Sequence, residues 1–116
     1  MKQNYSVRKV EKLLRELDAY RHSLAYLTSI EGTSALPLRK AELMKRRIAY
    51  LTRTIAAVEH SLDFLDPTER NIITGLYLNP EHSFDDVCET CALEKSSVYR
   101  YRARALAKLA AALFGE

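Results

Sequence analysis

The stretch "SFDDVCETCALEKSSVYRYRARALAKL", residues 83–109, decides how the fold is read. Ser83 followed three positions later by Asp86 is a capping-box start, in which side chain and backbone satisfy each other at a helix N-terminus. The residues FDDVCETC then make a short helix. Ala92, Leu93 and Glu94 interrupt it, and a longer helix is expected from Lys95 to about Leu113. On a helix turning about 100° per residue, Val98, Ala105, Leu106 and Leu109 share one stripe. Ser96, Ser97, Arg100 and Arg104 lie opposite, with Ala103 and Ala107 between them. A short helix, a tight turn and a longer basic helix form a helix-turn-helix.

The pattern extends upstream. In "DPTER", residues 66–70, Asp66 suits an N-cap, Pro67 the first turn, and Glu69 the third helical position. That helix is expected to reach Tyr77, with Ile72, Ile73, Leu76 and Tyr77 on its apolar side. "NPEH", residues 79–82, then reads as a turn. Before residue 66 the periodicity changes. Val10, Leu13, Leu17, Tyr20, Leu24 and Leu27 form one heptad seam, and Met44, Ile48, Leu51, Ile55, Val58, Leu62 and Leu65 form another. "EGTSALPL", residues 31–38, separates them, with Gly32 as a C-cap and Pro37 resisting continuation. The expected fold is all-α. An N-terminal antiparallel helical hairpin, coiled-coil-like, spans residues 1–65, and a C-terminal helix-turn-helix spans residues 66–116. The hairpin seams suit either a dimerisation or docking arm, or an intramolecular core.

Composition narrows the function. The chain has 116 residues, 18 Lys/Arg against 15 Asp/Glu, three glycines and three prolines. So few breakers favour long helices over many short strands. No apolar run approaches the roughly 18 residues of a membrane span. The opening residues lack the pattern of a secretory leader, so a cytoplasmic protein is expected. Charge is unevenly spread: residues 1–65 carry +5, residues 66–93 carry −5, and residues 94–116 carry +3. Basic next to acidic surface implies an oriented interface, not a uniformly cationic coat. Residues 94–109 alone hold Lys95, Arg100, Arg102, Arg104 and Lys108 against one carboxylate, Glu94. Cys88 and Cys91 are too few for a structural zinc site without a second pair, so no metal is expected and both are read as packing residues. No phosphate loop or nucleophile motif occurs, and neither an enzyme nor a cofactor is expected.

Glu69-Arg70, Tyr77, Ser83 through Cys88, Ser96-Ser97-Val98 and Ala105-Leu106 together resemble region four of bacterial sigma factors. With a helical arm ahead of it, the whole chain is similar to phage-encoded transcriptional regulators of the RinA/ArpU type. The close match covers 66–109, and the arm matches only in being helical. Two residues depart from the family pattern, Ala92 where glycine is usual in the turn and Glu94 where serine often caps the recognition helix. The resemblance implies sequence-specific binding of double-stranded DNA to regulate transcription, from a phage or prophage genome. Candidate DNA-binding residues are Lys95, Ser96, Ser97, Tyr99, Arg100, Arg104 and Lys108. Arg100 is expected to read bases at the centre of the face, and Lys95 and Lys108 to hold phosphates near its edges. Arg102, on the core side, is expected to snorkel or pair with acids of the preceding helices. Two alternatives stand beside this reading. The acidic residues Asp85, Asp86 and Glu89 suit a module that engages RNA polymerase, and the hairpin suits a small-terminase-like packaging adaptor. A homodimer through the arm is a further expectation. The basic run from Arg39 to Arg47 suits flanking phosphates, an acidic protein or plain solvation.

Overall fold

The computed structural model describes residues 2–31, 37–79 and 81–115, and these are predominantly helical with no strand among them. Among the described residues five α-helices occur in order: α1 (Lys2–Glu31), α2 (Leu38–Ser61), α3 (Pro67–Ile73), α4 (Phe84–Cys91) and α5 (Lys95–Phe114). A 3-10 turn, Leu62–Phe64, follows α2, and a π turn, Thr74–Leu78, extends α3. Gly32, expected to cap α1, and Pro80 of the NPEH turn lie outside the described residues. No helix among the described residues is long and apolar enough to cross a membrane.

Local chemistry explains where α3 and α4 begin. Asp66 Oδ1 accepts from the Glu69 backbone N–H at 2.8 Å, and Glu69 Oε1 accepts from the Asp66 N–H at 3.0 Å. Ser83 and Asp86 repeat the arrangement at 3.1 and 2.9 Å. Each box satisfies two donors that a helix N-terminus otherwise leaves orphaned, worth about 1 kcal/mol per cap. Helix α4 ends at Ala92, which adopts φ 55° in the left-handed region. Its N–H and that of Leu93 close on the carbonyls of Glu89 and Cys88. The extra residue of the π turn sits where Asn79 N–H reaches back five positions to the Thr74 carbonyl at 3.1 Å.

The principal core crosses the turn at Leu65–Asp66. Val10, Leu14 and Leu17 of α1 and Ile55 and Val58 of α2 pack in one cluster with Ile73, Tyr77, Ala105, Leu106, Leu109 and Ala110. The helices before residue 66 thus supply half of the core that supports α5. Leu14, outside the heptad seam, is fully buried, whereas Leu13 is half-buried. The reason is that α1 packs on α2, α5 and the π turn together, which needs a wider stripe than a two-helix seam. Toward the far ends of α1 and α2 the seam thins. Leu24, Leu27, Met44 and Ile48 are only half-buried, and Tyr26, Leu38 and Leu43 are exposed.

A second cluster joins the C-terminal elements. Ile72 of α3, Val87 of α4 and Val98 of α5 are buried against one another, with Cys88 and Cys91 packed at the edge. Burial pushes the Cys91 thiol above its ordinary value, with a smaller contribution from Cys88. Both cysteines are unbridged. No group of three metal-binding side chains occurs among the described residues.

Candidate nucleic-acid interface

Helix α5 is held from two sides, and what remains open is the candidate interface. Val98, Ala105, Leu106, Leu109 and Ala110 face the core. Ser96, Tyr99, Arg100, Ala103 and Arg104 are exposed, while Ser97, Arg102 and Ala107 are half-buried. The sequence-derived stripe is therefore close to the observed one. Ser97 turns partly inward, and Tyr99 stands out in its place at 53 % exposure. Tyr99 is steadied by stacking on Phe84 of α4, with ring centroids 4.6 Å apart. The guanidinium of Arg102 lies 5.7 Å from the Tyr99 ring. Arg102 makes no ion pair with a carboxylate among the described residues; of the two expectations, snorkelling or an acidic partner, the second is not met, and the half-buried side chain lies along an aromatic face.

The cations of α5 are unequally free. Lys95 Nζ stands 3.4 Å from Asp85 of α4, with both side chains well exposed. Such a surface pair contributes little to stability and can open to another anion. Arg104 and Lys108 are different. Glu69, whose side chain is wholly buried, accepts from Arg104 Nε at 3.1 Å and from Lys108 Nζ at 2.7 Å. Burial pushes the Glu69 carboxyl up. Hydrogen bonds from Lys108, the Asp66 N–H and Arg104 outweigh that and hold it below the usual glutamate value. A desolvated carboxylate needs such partners. Lys108 is thereby tied to α3 by its charged end, and Arg104 retains 51 % side-chain exposure beside the same acid. Arg100 has no carboxylate partner among the described residues; its guanidinium lies 5.7 Å from the ring of its neighbour Tyr101.

The open side of α5 thus centres on Ser96, Arg100 and Ala103, flanked by Tyr99 and Arg104. At its N-terminus Glu94 caps through its backbone alone, with no side-chain cap hydrogen bond. The role of Glu69 was invisible in sequence beyond its capping-box spacing. The available signal was Arg104 and Lys108 at i, i+4, which read equally well as a phosphate-binding pair. On the acidic side, Asp86 is engaged in its cap and Asp85 with Lys95, while Glu89 is exposed with no ion pair among the described residues. The α2 cations Arg39, Lys40, Lys45, Arg46 and Arg47 are exposed and likewise without a carboxylate partner among the described residues. Compared with known proteins, the chain matches no family model, no curated protein and no solved structure.

Proposed function

We propose that the chain is a sequence-specific double-stranded DNA-binding regulator of transcription, in which α4, the Ala92–Glu94 turn and α5 act as a helix-turn-helix and α1 and α2 form a hairpin packed behind it. The observation that carries this reading is the open side of α5, where Arg100, with no carboxylate partner among the described residues, stands between the small side chains of Ser96 and Ala103. Such a face fits a major groove about 12 Å wide, and Arg100 can donate bidentately to a guanine edge. Ser96 is within reach of either a base or a phosphate, and the Tyr99 ring can lie against a thymine methyl. Lys95 can exchange Asp85 for a phosphate at small cost. Cations fix the register and release counterions, while base contacts specify the sequence.

The resemblance to sigma region four supports transcription as the process, and a phage or prophage genome as the source. The half-buried apolar residues at the far ends of α1 and α2 support a homodimer through the hairpin. A second reading rests on the exposed acids of α4. Glu89 with Asp85 offers a negative surface for a basic protein partner, and RNA polymerase is the partner that the resemblance implies.

Selection of bound sites from random duplex DNA tests the first reading. Arg100→Ala, verified as folded by circular dichroism, should then lose discrimination at one base position, worth about 1–3 kcal/mol. Equal binding of the selected and random duplexes by wild type and variant alike would reject it in favour of the protein-partner reading.

A further inference from the structure

The two flanks of α1 meet different parts of the fold. Leu13 turns toward α2 and the C-terminal end of α5, sharing a groove with Tyr50, Thr54, Ala57, Leu113 and Phe114. Val7 and Glu11 turn the other way, into a groove of about 290 Å³ against Tyr99, Ala103 and Ala107 of α5. The first turns of α1 therefore run beside the open side of α5, with α2 on the opposite flank. Each further residue along a helix swings about 100° around its axis. Arg8, one step on from Val7, is exposed beyond the α5 groove, and Lys12, also exposed, stands on the outer face midway between the Glu11 and Leu13 flanks. Arg15 lies one turn past Glu11.

The charges on this flank can be assigned one by one. Arg8 and Lys12 are exposed and have no carboxylate partner among the described residues. The acid between them is Glu11. It accepts from the Tyr77 hydroxyl at 2.7 Å and lies 3.6 Å from Arg15. Its negative charge is therefore engaged, and the net character of the ridge is positive. On α5 the situation is reversed, since Lys108 and Arg104 are bound to Glu69 and Lys95 stands by Asp85. With Lys108 and Arg104 engaged by Glu69, a helix that enters DNA gains from a further phosphate grip on a neighbouring element.

We propose that Arg8 and Lys12 of α1 hold phosphates of the DNA strand bordering the groove that α5 enters, so that α1 is one wall of the DNA interface. The proposal rests on the DNA-binding reading. Packed helices stand about 8–10 Å apart. A helix seated in a groove about 12 Å wide therefore brings the phosphate wall beneath its packed neighbour. The α2 cations do not compete for this role, because α2 lies on the other flank of α1.

The test uses the full-length protein with a duplex selected from random DNA and with an unselected duplex, over a range of salt concentrations. Arg8→Gln and Lys12→Gln change exposed residues and leave the core intact. Each should weaken both duplexes by about fivefold at 0.15 M salt and make the log–log salt slope shallower by about 0.9. Arg46→Gln, which removes the same charge from the α2 side, should leave the slope unchanged. Unaltered slopes for Arg8→Gln and Lys12→Gln, with Arg100→Ala still relaxing sequence preference, would overturn the α1 contact and leave the DNA reading standing. If Arg100→Ala also changes nothing, the DNA reading falls and the α1 contact with it.

Discussion

Lys108 Nζ donates to Glu69 Oε1 at 2.7 Å, linking the second-last turn of one helix to the first turn of another across 39 residues of chain. The carboxylate is wholly buried, whereas the lysine side chain retains 41 % exposure. Arg104 joins at 3.1 Å, and the same Glu69 closes the cap at Asp66. One acid thus starts α3, docks α5 on it, and occupies the charged end of Lys108.

Glu69→Gln should destabilise the protein by about 2–3 kcal/mol in urea denaturation. Breaking a fully buried pair costs about 3–5 kcal/mol, and the half-exposed cations, which can turn to water, reduce that here. The same substitution frees Arg104 and Lys108, so non-specific DNA affinity should rise and its salt dependence steepen. A variant as stable as wild type would show that the pairs are dispensable.

Stability should fall in acid with a component that belongs to Glu69. Its carboxyl titrates lower in the folded chain than in the unfolded one, where about 4.3 is ordinary. The unfolded state therefore binds more protons between the two values. The contribution is full above the unfolded value and disappears as pH falls through the folded one. Asp86, held low by the Ser83 N–H and hydroxyl, has the same sign. Urea midpoints from pH 6 to 3 should consequently drop less steeply in Glu69→Gln than in wild type; parallel curves would contradict this.

Gly75→Ala should cost about 1–3 kcal/mol through overpacking. An added Cβ would meet Val87 Cγ2 at 2.8 Å. Val87 is buried and β-branched, so its methyl groups have little room to move. The measurement is thermal unfolding, and an unchanged midpoint would mean that α4 shifts freely against the π turn.

Ala92→Gly should stabilise by up to about 1 kcal/mol. Ala92 holds φ 55°, the left-handed region that is costly for a residue with a Cβ. Glycine removes that strain, partly offset by the greater freedom of the unfolded chain. A lowered melting temperature would argue that the alanine methyl packs to greater effect than the strain it causes.

A fragment beginning at Asp66 should fail to melt cooperatively. Removing α1 and α2 uncovers Ile73, Tyr77, Ala105, Leu106 and Leu109, which pack on Val10, Leu14, Ile55 and Val58. Circular dichroism should find reduced helicity and a broad transition. A sharp transition would make the C-terminal unit self-sufficient, as its self-contained sequence pattern suggests.

The features legible in sequence are those settled within one or two helical turns. Asp66 with Glu69 and Ser83 with Asp86 specify helix starts because donor and acceptor lie three residues apart. The interruption at Ala92–Glu94 and the buried stripe of α5 follow from local periodicity in the same way. Thr74 to Tyr77 read in sequence as ordinary helix, since nothing local distinguishes a π turn from the α-helix it extends. The rest depended on how helices cross. Whether Leu13 or Leu14 is central, whether Lys108 meets a phosphate or Glu69, and which flank of α1 lies along α5 are set by contacts between residues tens of positions apart. Side-chain chemistry permits several such pairings, and the one adopted is the one that lets five helices bury their apolar stripes together while leaving no buried charge alone.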